Sequence, residues 1–258
     1  MSGRRRDGAV DPAGAEVDRA EAGAAARLPL HGRRHGRRLR PGRQRLMEEL
    51  LPRLTVAAPA PGTRLDPAAL FGRPPAALWL EIGFGGGEHL AAQALRHPEI
   101  GIIGSEVFVN GVAAFLSRAA RDGIGNVRLW PEDARLLLDA LPDGCLDRVF
   151  LLFPDPWPKR RHADRRFIGP ENLARLARVL KPGGELRVAS DDPGYAAWTL
   201  MHLRRSPDFR WCAARAQDWR DPPADWAPTR YEAKAIVAGR RPVYLRFLRR
   251  SAAAPESP

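Results

Sequence analysis

The sequence predicts an α/β fold in which a mostly parallel sheet of about seven strands carries helices on both faces. Three observations support this prediction. Short apolar runs bounded by polar turns alternate with helical patterns between residues 77 and 190. A run of glycines within 83–87 follows the first apolar run, where the chain would turn from a strand into a helix. The length of 258 residues suits one α/β domain with extensions.

The strands and helices follow from the apolar periodicity in chain order. The predicted strands cover residues 77–82, 100–105, 126–130, 146–153, 185–190, 209–215 and 243–248. The predicted helices run from the glycine turn to about 96, from the second strand to about 121, and over 134–140, 170–180 and 195–205. A loop rich in Trp and Pro is predicted before the last strand. Because helices separate successive strands, most of the sheet should be parallel.

The N-terminal part of the chain differs in composition from this domain. Residues 1 to about 28 have no apolar period, and residues 31–45 concentrate arginine among glycines. A helix is predicted at 44–54, followed by a linker or surface loop to about 72. We therefore expect a disordered Arg-rich extension, a folded catalytic domain and a disordered tail over 1–45, 46–250 and 251–258. The arginine-rich segment is either an arm that orders on nucleic acid or a solvated tail.

The chain is strongly basic, with a formal net charge of +12 and a pI of about 11.0. An anionic polymer or surface is therefore the expected partner on electrostatic grounds. Arginine carries nearly all of the positive charge, because Lys159, Lys181 and Lys234 are the only lysines. Arginine suits bidentate phosphate contacts and stacking on bases. A genomic codon bias would produce the same excess, so composition alone does not decide between these explanations.

Cysteine usage and hydropathy exclude several classes of protein. Cys145 and Cys212 lie far apart without a CxxC or Cys/His cluster, which argues against a zinc site and a disulfide scaffold. No apolar run approaches the ~18 residues of a membrane span, and Arg4–Arg6 precede no apolar segment typical of a signal peptide. We expect a cytoplasmic protein without a metal or an obligate protein partner, either monomeric or homodimeric.

The glycine run belongs to the segment Glu81–Gly87, EIGFGGG, at the end of the first predicted strand. Gly83 and Gly85 would let a ligand approach the backbone closely. The dinucleotide fingerprint GxGxxG needs a third glycine where this chain has Glu88, which is a poor neighbour for a pyrophosphate. The turn therefore predicts a ligand that is not a dinucleotide.

Acids after the next strands indicate the chemistry of that ligand. Glu106, Asp133 and Asp155 follow the second, third and fourth predicted strands, so they should meet Glu81 at the carboxyl edge of the sheet. Their negative charge repels a phosphate-rich ligand but suits S-adenosylmethionine, which has a cationic sulfonium and ribose hydroxyls that donate to carboxylates. Any one of these acids is alternatively a helix cap, and for Asp133 that alternative is equally good.

The stretch from Phe153 to Arg166, FPDPWPKRRHADRR, combines a proline turn with a basic loop. Prolines fix φ, so Asp155 and Trp157 would be presented at the strand end with little conformational freedom. The arginines that follow could contact phosphates beside such a site. The alternative is a purely structural proline turn followed by a solvated run of charges.

Three stretches together resemble the tRNA (guanine-N7-)-methyltransferases in order and spacing. They are EIGFG at 81–85, PDPW at 154–157 with Lys159 and the basic loop, and TRYE at 229–232. The resemblance spans about Arg37 to Leu248. It implies a Rossmann-like class I methyltransferase fold with S-adenosylmethionine as methyl donor. It also implies tRNA as the partner, with the variable-loop guanine G46 as the methylated base.

The resemblance also implies roles for individual residues, with Asp155 as the catalytic one. The resemblance adds further cofactor-binding positions to the two turn glycines. The full set would be Glu81, Gly83, Gly85, Glu106, Asp133 and Asp155. The substrate-binding positions would be Lys159, Asp191, Thr229, Arg230, Tyr231 and Glu232. The RNA-contacting positions would be Arg161, Arg165 and Arg166. Two departures from the family pattern are Asp164, which replaces a usual lysine and would weaken a phosphate contact, and Arg230-Tyr231, which replaces a Lys-Phe pair conservatively.

The chemistry of guanine N7 sets what such a site must do. N7 is a lone-pair acceptor without a proton, so it can attack a sulfonium methyl directly and needs no general base. The main task of the protein is then to hold N7 in line with the methyl group. The nearest alternative is an exocyclic-amino nucleobase methyltransferase, although DPWP at 155–158 lacks the adjacent proline pair of those enzymes. A non-catalytic RNA-binding subunit is the alternative from another class, and the intact acids and glycines oppose it.

Overall fold

The computed structural model describes residues 32–251 of the chain. Its strands are β1 Leu78–Ile82, β2 Gly101–Ser105, β3 Val127–Trp130, β4 Leu146–Leu152, β5 Leu180–Ser190, β6 Phe209–Trp211 and β7 Val243–Arg249. Its α-helices are α1 Pro41–Glu49, α2 Leu51–Leu54, α3 Glu88–Arg96, α4 Val109–Asp122, α5 Ala134–Ala140, α6 Pro170–Val179, α7 Pro193–Arg205, α8 Gln217–Arg220 and α9 Arg230–Val237. A 3-10 helix covers Arg160–Arg165.

The seven strands form one sheet in the order β3-β2-β1-β4-β5-β7-β6. Strands β1 to β5 are parallel to one another, whereas β7 runs antiparallel to both β5 and β6. All five residues of β1 are buried, as expected for a parallel strand with helices on both faces of the sheet. The predicted α/β fold with a mostly parallel seven-stranded sheet is thereby confirmed. The strand order reverses between β1 and β4, where open α/β sheets bind ligands.

Two apolar cores lie on opposite faces of the sheet, because successive strand residues point to opposite sides. On one face, Leu80 belongs to a core with residues of α5, α6 and α7. On the other face, Trp79 and Phe150 belong to a core with residues of α3 and α4. Glu81 shares the side of Trp79 and is 3% exposed. Its carboxylate is therefore enclosed between the sheet and the helices α3 and α4.

The residues 33–45, which we call the arginine strap, contact the domain although composition predicted disorder over 1–45. The Gly36 N–H donates to Asn110 Oδ1 (2.7 Å), and Asn110 Nδ2 donates to the Arg37 carbonyl (2.7 Å). A methyl group at Gly36 would lie 2.6 Å from Asn110 Oδ1, so the strap approaches α4 closely. Composition could not indicate these contacts, because they depend on a side chain more than seventy residues away.

The boundary expected at residue 46 falls inside α1, which begins at Pro41. Proline suits the first turn of a helix, because its fixed φ is helical and its missing N–H would be unpaired there. Residues 1–31 of the expected extension and 252–258 of the expected tail lie outside the described residues.

The Trp- and Pro-rich region predicted as a loop contains α8 and α9. The second of these helices begins with a capping box, in which Thr229 Oγ1 accepts from the Glu232 N–H (3.1 Å) and the Glu232 carboxylate accepts from the Thr229 N–H (3.3 Å). The T-x-x-E signal is present in the sequence. The loop prediction was wrong because a helix of eight residues carries little apolar periodicity.

Two strands of the far half of the sheet differ in length from their predictions. β5 begins at Leu180 rather than Glu185, because Leu180 pairs with Leu146 before a break in the register. β6 ends at Trp211 rather than near Arg215. The strand stops early because the side chain of Asp218 accepts from the N–H groups of Ala214 and Arg215 (2.9 and 3.0 Å), which are then unable to pair with a neighbouring strand.

Candidate cofactor and substrate site

The acids predicted to line a crevice stand at the ends of four adjacent parallel strands. Glu81 is the last residue but one of β1 and pairs with Gly104, and Glu106 directly follows β2. Asp133 and Asp155 each lie three residues beyond the ends of β3 and β4. Since β3, β2, β1 and β4 are parallel neighbours, their carboxyl ends share one edge of the sheet. The topology thus brings the four acids to the same edge.

The glycine turn after β1 is held by backbone contacts to β2 and α4. Gly83 and Gly85 have φ of 70° and 57°, in the left-handed region that favours glycine. The Gly83 N–H donates to the Ser105 carbonyl (2.8 Å), and the Gly85 N–H donates to Glu106 Oε2 (2.7 Å). A methyl group at Gly111 would lie 2.4 Å from the Gly85 carbonyl oxygen. Helix α4 therefore approaches the turn as closely as a residue without a side chain permits.

Glu106 is fixed by backbone N–H groups and is affected by a second acid. Its Oε1 accepts from the Phe108 N–H (2.8 Å), and its Oε2 accepts from Gly85. Burial raises the pKa of Glu106; backbone hydrogen bonds from Phe108, Gly85 and Val107 oppose this rise, and the negative charge of Asp155 adds to it. Asp155 carries this like charge at the same edge of the sheet as Glu106. A cationic ligand near both would relieve their repulsion.

Glu81 is bonded to a histidine that the sequence analysis did not single out. The Nδ1 atom of His89, in α3, lies 2.7 Å from Glu81 Oε2, and both side chains are almost completely buried. The imidazole packs against Phe150 and Trp226, with ring centroids 4.7 and 5.4 Å away. The signal in the sequence was the place of His89 in the first turn of the helix after the glycines. That place alone does not reveal a contact with the preceding strand.

Asp133 is the N-cap of α5, which confirms the helix-cap alternative for its side chain. Its Oδ1 accepts from the Arg135 N–H (2.9 Å), and its Oδ2 pairs with Arg135 Nη2 (2.6 Å). The Trp130 indole N–H donates to the Asp133 carbonyl (3.0 Å). A role for Asp133 in cofactor binding remains a prediction, and the cap fixes its position at the crevice.

The PDPW turn after β4 is rigid for reasons beyond its prolines. Phe153 and Trp157 have φ of 51° and 43°, a conformation that costs a residue with a side chain about 1–3 kcal/mol. Arg166 holds the turn, because its Nε donates to the Pro156 carbonyl (3.0 Å) and its Nη2 donates to the Trp157 carbonyl (3.1 Å). Backbone strain of this kind persists only where the surroundings enforce it. The turn therefore presents the exposed Asp155 in a fixed place.

The cationic side chains of the basic loop have two kinds of surroundings: some contact the turn and others are exposed to solvent. Arg166 also lies over the Trp198 ring (4.6 Å to the centroid), and Arg165 lies over the Trp157 ring (5.0 Å). Lys159 and Arg161 are exposed. The RNA contacts predicted for Arg161, Arg165 and Arg166 remain predictions. The structure adds that two of these three arginines support the turn.

The Glu232 carboxylate fixes α9 on the domain. Its Oε2 accepts from Trp226 Nε1 (2.8 Å) and from the Thr229 N–H, and its Oε1 accepts from the Tyr244 hydroxyl. Glu232 is 5% exposed, so these partners are not replaceable by solvent. Thr229 and Glu232 were predicted to bind substrate. In the structure their side chains orient the helix that carries Tyr231.

Tyr231 brings α9 to the glycine turn. Its Cε2 atom lies 3.0 Å from where a methyl group at Gly85 would be, and the side chain remains 41% exposed. Arg230 lies over the Tyr231 ring (4.9 Å) and donates to its hydroxyl (3.0 Å). Asp191, just beyond β5, pairs with Arg240 (2.6 Å). Of the predicted substrate positions, Tyr231 is the one that the structure places directly on the glycine turn.

Partly buried ion pairs hold the segment 221–229, which we call the clamp loop, against the sheet. Arg148 and Arg187 each contact both Glu185 and Asp225, at 2.7 to 3.1 Å. Burial raises the pKa of Asp225, but the hydrogen bond from Arg187 and the charges of Arg187 and Arg148 outweigh it and lower the pKa to about 2. The clamp loop is thus firmly attached on the face where Glu81 lies.

Two kinds of feature are absent from residues 32–251. No group of three or more His, Cys, Asp or Glu side chains there could hold a metal ion. None of the helices in that part of the chain has the length and apolar composition needed to cross a bilayer.

Comparisons with known proteins agree on one family. The family model described as "Putative methyltransferase" matches residues 75–245. The tRNA (guanine-N(7)-)-methyltransferase of Rhodospirillum rubrum is 62% identical over 227 residues, which cover 87% of this chain and 89% of that protein. The protein of the same name from Paramagnetospirillum magneticum is 58% identical over 88% of this chain and 95% of its own length. The one from Nitrobacter hamburgensis is 54% identical over 86% and 87%.

A solved structure shows the same fold at much lower identity. The 16S rRNA methyltransferase KamB matches with a TM-score of 0.52 and 15% identity, over 69% of this chain and 89% of that chain. This likeness concerns the fold alone and confirms the class I methyltransferase architecture. The three relatives named above, at more than half identity, cover 86 to 88% of this chain, and the residues matched by the family model include both the glycine turn and TRYE at 229–232. The chain therefore belongs to the tRNA (guanine-N(7)-)-methyltransferase family.

Proposed function

We propose that this protein transfers a methyl group from S-adenosylmethionine to N7 of a guanine in tRNA. The observation that carries the proposal is the arrangement at the carboxyl edge of the sheet. There an acidic crevice with Glu81 and Glu106 adjoins a rigid turn that presents Asp155, and Tyr231 lies on the glycine turn. The resemblance implies G46 of the variable loop as the base, and a tRNA substrate implies a cytoplasmic enzyme.

The residues at this edge fit S-adenosylmethionine by charge and by space. The repulsion between Glu106 and Asp155 favours a cationic ligand. Apart from its two neighbours in the chain, no residue within 32–251 has an atom within 4 Å of the place where a side chain at Gly83 would begin, so the turn is open on that side. The residues that would hold the cofactor are Glu81, Gly83, Gly85, Glu106, Asp133 and Asp155. When bound, the cofactor supplies an electrophilic methyl group on a positively charged sulfur.

The chain has to orient the base rather than deprotonate it, because guanine N7 carries a lone pair and no proton. The fixed turn and the ring of Tyr231 limit where a purine can lie, which is catalysis by proximity and orientation. Methylation makes the purine cationic. Asp155 stabilises this charge or accepts hydrogen bonds from the N1–H and amino group of the guanine.

The product of the reaction tests this proposal. Unmodified tRNA is incubated with the protein and methyl-labelled S-adenosylmethionine, then treated with borohydride and aniline, which cleave the chain at 7-methylguanosine. We expect label in the RNA and cleavage at the variable-loop guanine, and neither in a tRNA whose G46 is replaced by adenine. Labelled RNA that resists cleavage would indicate an exocyclic-amino methyltransferase. Absence of label together with no cofactor binding in calorimetry would indicate an RNA-binding subunit.

The arginine strap supplies the phosphate-binding surface of the proposed enzyme. Arg37, Arg38, Arg40 and Arg43 are exposed and line a pocket of about 390 Å³ beside Asn110. Asn110 lies at the start of α4, which follows the carboxyl end of β2. Phosphates bound by the strap would therefore lie on the same edge of the sheet as the crevice.

Replacing Arg37 and Arg43 together with alanine should weaken tRNA binding and reduce its salt dependence. Removal of one phosphate contact lowers the slope of log K against log salt by about 0.7 for single-stranded and 0.9 for duplex RNA segments. Affinity for S-adenosylmethionine should not change. The measurement is the tRNA Kd at several salt concentrations.

The matched control is the double variant Arg205→Ala with Arg210→Ala. Both arginines are exposed. Arg205 is the last residue of α7, and Arg210 lies in β6, which is the outermost strand on the far side of the sheet from β3. This variant removes the same charge, so its salt slope should stay close to that of the unaltered protein. Equal slopes for the two double variants would exclude the strap as a specific phosphate-binding surface.

A further inference from the structure

A buried chain of hydrogen bonds, which we call the relay, runs from Glu81 to the clamp loop. His89 Nδ1 lies 2.7 Å from Glu81 Oε2, and His89 Nε2 lies 3.2 Å from Gln93 Nε2. The same amide nitrogen lies 2.9 Å from the carbonyl oxygen of Asp225. Glu81, His89 and Gln93 are each at most 3% exposed. Solvent therefore cannot substitute for these partners, and each of them constrains the next.

These partners fix which nitrogen of the His89 ring carries the hydrogen. The carbonyl oxygen of Asp225 can only accept, so the Gln93 side chain must turn its NH₂ group toward it and not its oxygen. The second N–H of that group then points to His89 Nε2, which must accept and so carries a lone pair. The N–H of the ring is left on Nδ1, where it donates to Glu81.

The surroundings of the relay keep it in this state. Phe150 and Trp226 pack against the imidazole and prevent the ring from turning over. Arg96 Nη1 also donates to the Asp225 carbonyl (2.6 Å). The side chain of Asp225 is held by the ion pairs to Arg148 and Arg187, so the Asp225 carbonyl at the end of the relay is itself fixed.

We infer that His89 is a positioning residue for Glu81, and that Gln93 and the Asp225 carbonyl hold the His89 ring in the orientation with which it acts. One carboxylate oxygen of Glu81 accepts from His89, while no group within residues 32–251 donates to Oε1. That oxygen is left for the bound cofactor. The inference rests on the proposed function, because there Glu81 is a cofactor-binding residue. The clamp loop thereby supports both Glu81 and Tyr231, because the relay connects it to Glu81 and because it leads directly into α9, which carries Tyr231.

The tautomer is measurable without turnover. Long-range nitrogen-15 to proton correlation spectra of the histidine rings distinguish an Nδ1–H from an Nε2–H imidazole. The His89 signal is identified by its loss in the variant His89→Asn. We expect Nδ1 to carry the hydrogen and Nε2 to be bare in the unaltered protein. A hydrogen on Nε2 would overturn the inference.

Two substitutions of His89 separate positioning from packing. His89→Asn keeps an N–H donor near the place of Nδ1, so calorimetry should show affinity for S-adenosylmethionine within about 3-fold of the unaltered protein. His89→Leu fills the space but removes the donor, and affinity should fall by about 10-fold to 100-fold. Equal affinities for the two variants would contradict a positioning role.

Gln93→Leu tests the relay with the histidine in place. We expect Nδ1 to keep its hydrogen, because the Glu81 carboxylate still accepts it, whereas the ring loses its hydrogen bond at Nε2 and affinity for S-adenosylmethionine falls by about 5-fold. The control is Asn126→Leu, which removes amide hydrogen bonds to the carbonyls of Ala94, His97 and Ile100 near the other end of α3. It should lower stability without changing the tautomer or the affinity.

The outcomes distinguish this inference from the proposed function. If the unaltered protein binds S-adenosylmethionine and Gln93→Leu leaves the affinity unchanged, the relay is refuted and the function stands. If the unaltered protein binds no S-adenosylmethionine, the proposed function fails, whereas the tautomer measurement still tests the hydrogen-bond chain.

Discussion

Replacing Asp155 with asparagine is expected to lower kcat by roughly 100-fold or more, because it removes the carboxylate that we propose stabilises or orients the guanine. The fold should not change, since an exposed acid adds little to the free energy of unfolding. Removing its charge also removes one cause of the raised pKa of Glu106. The measurement is single-turnover methyl transfer at saturating tRNA and cofactor, together with the melting temperature.

Asp221→Asn is the matched control for this prediction. Asp221 is equally exposed but lies in the clamp loop, outside the predicted site, so its variant should methylate tRNA at the normal rate. Normal turnover in Asp155→Asn would remove Asp155 from the catalytic role. A large fall in melting temperature would instead assign it to the stability of the turn.

Gly111→Ala should destabilise the protein and reduce its affinity for S-adenosylmethionine by about 10-fold or more. Alanine in place of glycine within a helix ordinarily stabilises by about 1 kcal/mol. Here the added methyl would lie 2.4 Å from the Gly85 carbonyl oxygen, which belongs to the backbone and can yield only if the turn moves. Overpacking of this kind costs about 1–3 kcal/mol, so Gly111→Ala should destabilise the protein rather than stabilise it. Calorimetric titration and thermal unfolding measure the two effects.

Gly125→Ala provides the comparison, since nothing lies within 4 Å of its added methyl group. It should leave both cofactor affinity and melting temperature close to normal. If Gly111→Ala behaves in the same way, helix α4 does not support the glycine turn as tightly as the structure indicates.

The central strands and the acids at their ends could be predicted because their signals are local. Apolar runs such as Leu78–Ile82 mark buried parallel strands, and a residue just beyond such a run must lie at the carboxyl edge of the sheet. Glu106 and Asp155 were therefore placed from sequence without knowledge of any tertiary contact. Their roles toward the cofactor stay predictions.

Other features of the site depend on contacts between distant residues. His89 meets Glu81 because α3 folds back over β1, and Gln93 meets Asp225 across more than a hundred residues. The TRYE motif predicts Glu232 as a substrate residue, while its burial by Trp226 and Tyr244 is visible only in the fold. The order of the arginine strap likewise depends on Asn110. No pattern within a single segment carries such information.

The left-handed backbone at Phe153 and Trp157 has a consequence for the energetics of RNA recognition. A guanine inside folded tRNA has to leave its stack before its edge can reach an enclosed pocket, which takes a few kcal/mol. A flexible loop would lose conformational entropy in the same step. Here the loop is already shaped when the polypeptide folds. The free energy of tRNA binding is therefore not spent on ordering this loop, and it can offset the cost of unstacking the guanine.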